Sequence, residues 1–342
     1  PGAAGEGYGY CMPSRGCRRC AGCLRAPWPG AHDRVTIDAR AFLTAIIEYY
    51  MSLWENIATD MAAATGQRSD LQQQGAVGGG CINQAQRVCF AGTEYFVKLN
   101  HASQVDMFTA EADGLNELRQ CTALHIPAVV CYGNDEQSAW LVMESLSLGG
   151  RGDPVVLGEG LAAMHRITSD QYGWYRSNTI GATPQDNTCC NDWVRFWQQY
   201  RLQFQLDLAA RNGAGGRLLS QGERLQVEFP ALFNSYVPEA SLLHGDLWSG
   251  NYAYLHTGEP TLFDPAVYYG DREADLAMTE LFGGFGADFY TAYNNAWPLD
   301  SGYRTRKTLY NLYHILNHFN MFGGGYLGQA QAMLDSLLSE LR

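Results

Sequence analysis

Residues 244–251 read His-Gly-Asp-Leu-Trp-Ser-Gly-Asn, and thirteen positions beyond Asn251 the chain reads Asp264-Pro265-Ala266. The stretch places one Asp, an Asn five positions on, and a second Asp beyond a short hairpin. Phosphoryl transfer needs this set. One carboxylate takes the proton of the attacking hydroxyl, while an amide oxygen and a second carboxylate hold Mg²⁺ on the phosphates of ATP. Asp246 is assigned as the base, and Asn251 and Asp264 as the metal ligands. Polar triplets in turns often do no more than cap helices or close loops. Against that reading, the other parts of a kinase site occur upstream and in order.

Gly78-Gly79-Gly80-Cys81-Ile82-Asn83 lies between two strand-like stretches. Glycines let backbone approach phosphate and expose its N–H groups, so Gly79, Gly80 and Cys81 are candidate ATP contacts. No Gly-Lys-Ser/Thr follows, which excludes a Walker loop. Thr93–Leu99 alternates as a strand does and carries Lys98 within an apolar run. A lysine there is costly unless paired. The spacing predicts a helix over Val105–Gln120 with Phe108, Glu111, Leu115 and Leu118 on it. An ion pair between Lys98 and Glu111 is therefore expected, with Lys98 also reaching the nucleotide phosphates. Two further strands are expected at Ala128–Tyr132 and Ala139–Glu144. By position, Met143, Glu144 and Ser145 are candidates for a hinge whose backbone binds adenine.

From about Met51 to Arg342 the chain resembles the fructosamine/ketosamine-3-kinase family, a branch of the protein-kinase-like fold close to aminoglycoside and choline kinases. The resemblance rests on Gly78–Asn83, Val97-Lys98, Phe108–Ala112, Leu161–His165, Thr183-Pro184-Gln185 with Asn187, His244–Asn251, Asp264–Met278, Tyr310–Tyr313, Leu316–His318 and Phe322–Tyr326. It implies an α+β, bilobal enzyme that uses ATP and Mg²⁺ to phosphorylate the 3-hydroxyl of a sugar attached to an amine. The resulting 3-phosphate is unstable and frees the amine, a repair of glycated proteins. Microbial and plant members lean towards ribulosamine and erythrulosamine. Trp248 could pack on the sugar, and Gln185 and Asn187 are candidate acceptor contacts. His244, Asp271 and Asp275 read as braces, and Arg272 as a brace or a phosphate contact. Family members with a cysteine in the phosphate loop form redox-linked dimers. Hence Cys81, with backbone N–H groups and a lysine near it, is a candidate redox residue, and the chain is expected to be a monomer or a redox-linked homodimer.

Apolar residues make up 46% of the 342, enough for a large core and two lobes. A net charge of −12 argues against a nucleic-acid partner, and no apolar run reaches the roughly 18 residues of a membrane helix. The partners expected are ATP and glycated amines or glycated proteins. Residues 1–50 carry a net charge of +2, are rich in Gly, Ala and Pro, and stand outside the resemblance. They read as a disordered extension or upstream translation, with Met51 as a natural start. The enzyme is expected to be cytoplasmic, or plastidic if this segment is a transit peptide. Cys11, Cys17, Cys20 and Cys23 lie there without the frame a zinc site needs. Cys89, Cys121, Cys131, Cys189 and Cys190 are expected to be reduced packing residues.

The domain expectation is an N-lobe over 51–147, with a helix at about 52–65, a five-stranded antiparallel sheet and one further helix. A mainly helical C-lobe follows over 148–342. It contains a helix at Pro154–Ile167, a long helix at Asp192–Arg211 capped by Asn191 or Asp192, and a strand-turn-strand at 252–263. Two closing helices near Arg304–Met321 and Gly328–Leu341 complete it. Two other readings share parts of this pattern: a kinase of the same fold acting on aminoglycosides or choline, and a catalytically silent nucleotide-binding redox sensor.

Overall fold

The computed structural model describes residues 39–78 and 82–342. The chain divides between Ile47 and Glu48, and residues 48–342 form one compact unit. Both expected lobes lie inside that unit. Gly79, Gly80, Cys81 and the four N-terminal cysteines lie outside the described residues.

Helix α1 (Ala39–Thr65) starts earlier than the expected 52. Its residues Leu53, Trp54, Ile57 and Met61 are all buried, at the spacing of one helical face. Strands β1 (Gln72–Val77), β2 (Gln84–Phe90), β3 (Thr93–His101), β4 (Val129–Asn134) and β5 (Ser138–Glu144) form an antiparallel sheet ordered β1-β2-β3-β5-β4. Strand alternation splits its two faces. Val97, Leu99, Trp140 and Val142 join the α1 side chains in one small core. Leu141 and Met143 turn the other way, onto helix α2 (Val105–Leu118). That second core is continuous with the interior of the helical part, because Phe108, Leu115 and Leu118 belong to the same cluster as Leu161, Leu243 and Leu316. The sheet is thus joined to the rest of the molecule through α2.

The helical part begins with α3 (Pro154–His165), capped by the Asp153 carboxylate on the Val155 N–H, with Pro154 at its first turn. Short strands β6 (Thr168–Ser169), β7 (Asn178–Ile180) and β8 (Thr183–Gln185) follow, the last two as a hairpin. The single helix expected over 192–211 is broken. Asp192 caps α4 (Trp193–Trp197), a π-helical stretch spans Gln198–Gln203, and α5 (Phe204–Arg211) completes it. The wide turn carries Arg201, which is fully buried. It donates to Asp186 O (2.6 Å) and Asn187 Oδ1 (2.7 Å) and lies over the Tyr268 ring. Helical periodicity alone gives no sign of such an insertion.

Helix α6 (Gly216–Glu228) leads to β9 (Ala240–Leu243). The hairpin β10 (Tyr252–Tyr254) and β11 (Pro260–Leu262) lies where expected. Strand β12 (Tyr268–Gly270) pairs with β9, and β9 with β6. Helices α7 (Glu273–Leu281), α8 (Ala287–Ala296), α9 (Tyr303–Phe322) and α10 (Gly325–Glu340) close the fold. The sequence reading found α9 and α10 but not α6, α7, α8, β9 or β12. Strands of three or four residues are too short for periodicity to mark; β10 and β11 were found through the turn between them, and no such turn joins β9 to β12.

A buried ionic knot organises α7 and α9. Arg306, 2% exposed, donates from Nε and Nη2 to Glu273 (2.7 and 2.9 Å) and from Nη2 to Asp300 (2.6 Å), and stacks on Tyr236 at 3.9 Å. Tyr236 and Tyr310 both donate to Asp271. Asp271 is therefore the brace expected. Arg272 donates to the Tyr293 hydroxyl and the carbonyls of Trp297 and Pro298, which excludes the phosphate contact. Of the described cysteines, Cys121 is packed in the core but Cys189 is exposed, so the packing role does not extend to it.

Removing one partner of a buried ion pair strands the other charge, at a cost of about 3–5 kcal/mol. Arg306→Ala is expected to lower unfolding free energy by that amount in urea melts. Arg217→Ala, which breaks an exposed pair with Asp335, should leave the midpoint nearly unchanged.

Candidate active site

Lys98 is 7% exposed on β3, facing α2. Its ammonium bonds Glu111 Oε1 at 2.5 Å and Asp264 Oδ1 at 2.6 Å. Burial alone would lower the Lys98 pKa, but the two carboxylates outweigh it and raise it, so the lysine stays charged. Burial pushes the Glu111 carboxyl up against the opposing pull of Lys98. The expected Lys98–Glu111 pair is present, and Asp264 shares the same ammonium.

Asp264 adopts φ +58°, one of two described non-glycine residues at positive φ. Asp tolerates that region better than most residues, and such conformations concentrate at functional sites. Its neighbour Ala266 is stitched to the catalytic loop, because Ala266 N donates to His244 O at 2.8 Å. Gly245 makes the approach feasible. Its φ is +82°, and a Cβ there would lie 2.0 Å from Ala266 O.

Asp246 is half-buried. Burial first, and the Asp264 charge second, push its carboxyl up to about 7. The Asn251 amide nitrogen donates to Asp246 O (2.9 Å) and Asp246 Oδ2 (3.2 Å), which leaves Asn251 Oδ1 as a free acceptor. A carboxylate that is 49% exposed and a free amide oxygen fit a small, hard cation that keeps water and phosphate ligands. Clusters of three or more His, Cys, Asp or Glu side chains able to hold a metal are absent among the described residues, as such a site requires none.

His244 is a support. Its Nε2–H donates to Phe263 O (3.0 Å) and its Nδ1 accepts from Asp246 N (3.3 Å), so both ring nitrogens are occupied in the neutral form. Asp275 on α7 accepts the N–H groups of His244 (2.7 Å) and Gly245 (2.8 Å) and also contacts His165 (3.2 Å).

Three expectations change. Gln185 and Asn187 are 2% and 0% exposed. Gln185 donates to Asn178 and Ala266 O and accepts from Tyr313. Asn187 donates to Asn178 and Arg176 O and accepts from Arg201. Both tie the β7–β8 region to the segment after Asp264, and neither is open to an acceptor substrate. The Glu144 N–H is taken, which leaves the hinge expectation for this residue resting on its backbone carbonyl. The N–H goes to Ala128 O, and the carboxylate takes His125 and the Ala128 N–H. Met143 is buried in a strand paired on both sides, so of the three hinge residues only Ser145 lies beyond the strand.

Trp248 is 37% exposed and stands over Gly250, whose absent side chain makes room for the indole. Its ring meets Phe282 edge-on at 6.3 Å, and Phe282 meets His318 at 5.0 Å. Phe282 was missed because it lies past the end of α7, joined to Trp248 only in space. A pocket of about 540 Å³ opens between Ile82, the Ala182–Pro184 turn, and Met321 and Phe322 at the end of α9.

Burial lowers the pKa of His165, His244 and His314, the last to about 3. Folded values below the unfolded 6.5 mean that this stabilisation is complete above that pH and is lost as pH falls. Each such histidine contributes about 1.4 kcal/mol per pH unit over its window. Buried carboxyls raised to about 7, Asp246 and Glu273, act with the opposite sign in the same range, so the test is a difference: from pH 8 to 5 the wild-type melting midpoint should lose ground relative to that of His314→Asn once the pH falls below about 6.5.

The fructosamine kinase family model matches residues 53–340. A protein of Synechocystis sp. described as a probable ketoamine kinase is 46% identical over 288 residues, covering 83% of this chain and 97% of the relative. The chloroplastic protein-ribulosamine 3-kinase of Oryza sativa subsp. japonica is 40% identical over 281 residues, 81% of this chain and 82% of the relative. A crystal structure described as a fructosamine-3-kinase from Haemophilus somnus superposes with TM-score 0.77 at 28% identity, covering 83% of this chain and 97% of that one. Aminoglycoside phosphotransferase APH(4)-Ia, in a ternary complex with ADP and hygromycin B, shares the fold alone, at TM-score 0.54 and 17% identity over 83% of this chain and 98% of that one. With the match spanning both the sheet and the helical part, the chain belongs to the fructosamine kinase family.

Proposed function

We propose that the protein is an ATP-dependent ketosamine 3-kinase acting on ribulosamine, erythrulosamine or fructosamine adducts of amines and proteins. The observation that carries the reading is the convergence of Lys98, Glu111 and Asp264 beside Asp246 and Asn251, in a chain of this family. Relatives named as ketoamine and protein-ribulosamine kinases support the acceptor class.

In this reading Asp246 accepts the proton of the sugar 3-hydroxyl. Its raised pKa makes it a better base than an ordinary carboxylate, since proton-transfer efficiency peaks when the catalytic pKa lies near the working pH. Lys98 exchanges its contact with Asp264 for the nucleotide phosphates while Glu111 holds its position. Asp264 and Asn251 Oδ1 would hold Mg²⁺, which when bound neutralises charge on the transferring phosphoryl group. The backbone beyond Met143, from the Glu144 carbonyl through Ser145, meets adenine. Trp248, half-exposed two residues from the base, offers an apolar face to the sugar. A 3-phosphate on the adduct promotes release of the amine, which is deglycation.

The test is ATP consumption with Mg²⁺ against a ribulosamine, an erythrulosamine, a fructosamine and an aminoglycoside, with mass spectrometry for the added phosphate. Phosphate on a ketosamine is expected; phosphate on the aminoglycoside alone would overturn the reading. Asp246→Asn should lower kcat by about 10²–10⁴-fold while nucleotide affinity stays within a few-fold.

A further inference from the structure

We infer that Arg176 and Tyr269 are positioning residues that clamp α2 onto the segment following Asp264, so that the Lys98–Glu111 pair is assembled before nucleotide arrives. The inference rests on the kinase reading above and concerns how its nucleotide site is held.

Three consecutive contacts line one side of α2. Arg176 Nη1 donates to the Asp113 carboxylate, and Nη2 reaches Asp106 O at 3.5 Å. Gly114 packs directly on Val267, where an added Cβ would lie 3.2 Å from Val267 Cγ2. Tyr269 donates to Glu117 Oε1 at 2.6 Å. Positions 113, 114 and 117 share a helix face, and their partners Val267 and Tyr269 follow Asp264 by three and five residues.

The partners are themselves immobilised. Tyr269 exchanges both backbone hydrogen bonds with Gly173, at 2.8 Å each. Asn178 donates to Val267 O at 2.8 Å. Asn187 holds Arg176 O, and the buried Arg201 holds Asn187. The strap over 173–178 and the segment after Asp264 therefore form one frame, and α2 rests on both.

The consequence reaches Lys98. Its ammonium has one carboxylate from α2 and one from the loop of Asp264. A shift of α2 would remove Glu111 from a buried charge, which is costly. Contacts that keep α2 seated hold the lysine at a fixed distance from the metal-ligating acid. Tyr269 is held by paired backbone, and Arg176 by the Asn187 amide on its carbonyl, so the arrangement needs no separate ordering event.

The experiment measures binding of Mg²⁺–AMP-PNP by calorimetry and steady-state KM for ATP in wild type, Arg176→Ala, Asp113→Ala, the double variant, Arg176→Lys and Tyr269→Phe. Expected are about tenfold losses of nucleotide affinity, roughly 1.4 kcal/mol, in each alanine variant. The double variant should be no worse than either single one. Partial recovery in Arg176→Lys, a smaller loss in Tyr269→Phe, and a greater change in KM than in kcat complete the pattern. Unchanged nucleotide affinity in the single variants overturns the clamp, as does strict additivity in the double. A loss that tracks the drop in melting temperature also overturns it. Failure of the wild type to bind AMP-PNP would instead overturn the kinase reading on which the clamp rests.

Discussion

A lysine ammonium held almost out of water is the constraint on which the rest of the structure depends. Lys98 belongs to a strand whose neighbours are apolar, and its burial is tolerable only because two carboxylates meet it. One comes from α2, thirteen residues away in sequence; the other comes from Asp264, which is 166 residues away. Satisfying one charge thus forces the sheet, α2 and the loop after β11 into one place. The divided hydrophobic core serves the same end. One sheet face is closed by α1 alone, while the other is continuous through α2 with the helical interior.

Around that charge the backbone is bent where side chains would forbid it. Gly245 occupies a positive φ because Ala266 O lies where a Cβ would stand, and Asp264 takes a left-handed conformation itself. Asp275 anchors the turn from behind by accepting two successive backbone N–H groups. Neutral histidines complete the anchoring. Each ring nitrogen of His244 and of His165 has a partner, so neither is free to exchange protons with a substrate. Asp246 differs from these groups in keeping a carboxylate only partly enclosed and pushed up to about 7.

The chemistry of the site was legible because it is written in local strings. The His-Gly-Asp segment, Asn251 and Asp264-Pro265-Ala266 mark the candidate site at fixed short spacings, and Lys98 announced a partner by being a charge in an apolar strand. The acceptor side was not legible in this way. Gln185 ends the short strand β8 and Asn187 follows it, and nothing in the neighbouring sequence says that their amides are spent on Ala266, Tyr313 and Arg201. The same limit hid the π-helical turn at 198–203 and the pairing of β9 with β12.

What the sequence determined by itself was the set of candidate site residues, the order of the sheet-forming stretches and the helix that carries Glu111. Short-range periodicity and spacing encode these, because neighbours in the chain are neighbours in space within a helix, strand or tight turn. Only the tertiary structure decided that Lys98 bridges two acids, that Asp264 is left-handed, and that α2 is seated on Asp113–Arg176, Gly114–Val267 and Glu117–Tyr269. Those features depend on contacts between residues from 63 to 166 positions apart. Burial and steric fit select such contacts only once the whole chain has packed.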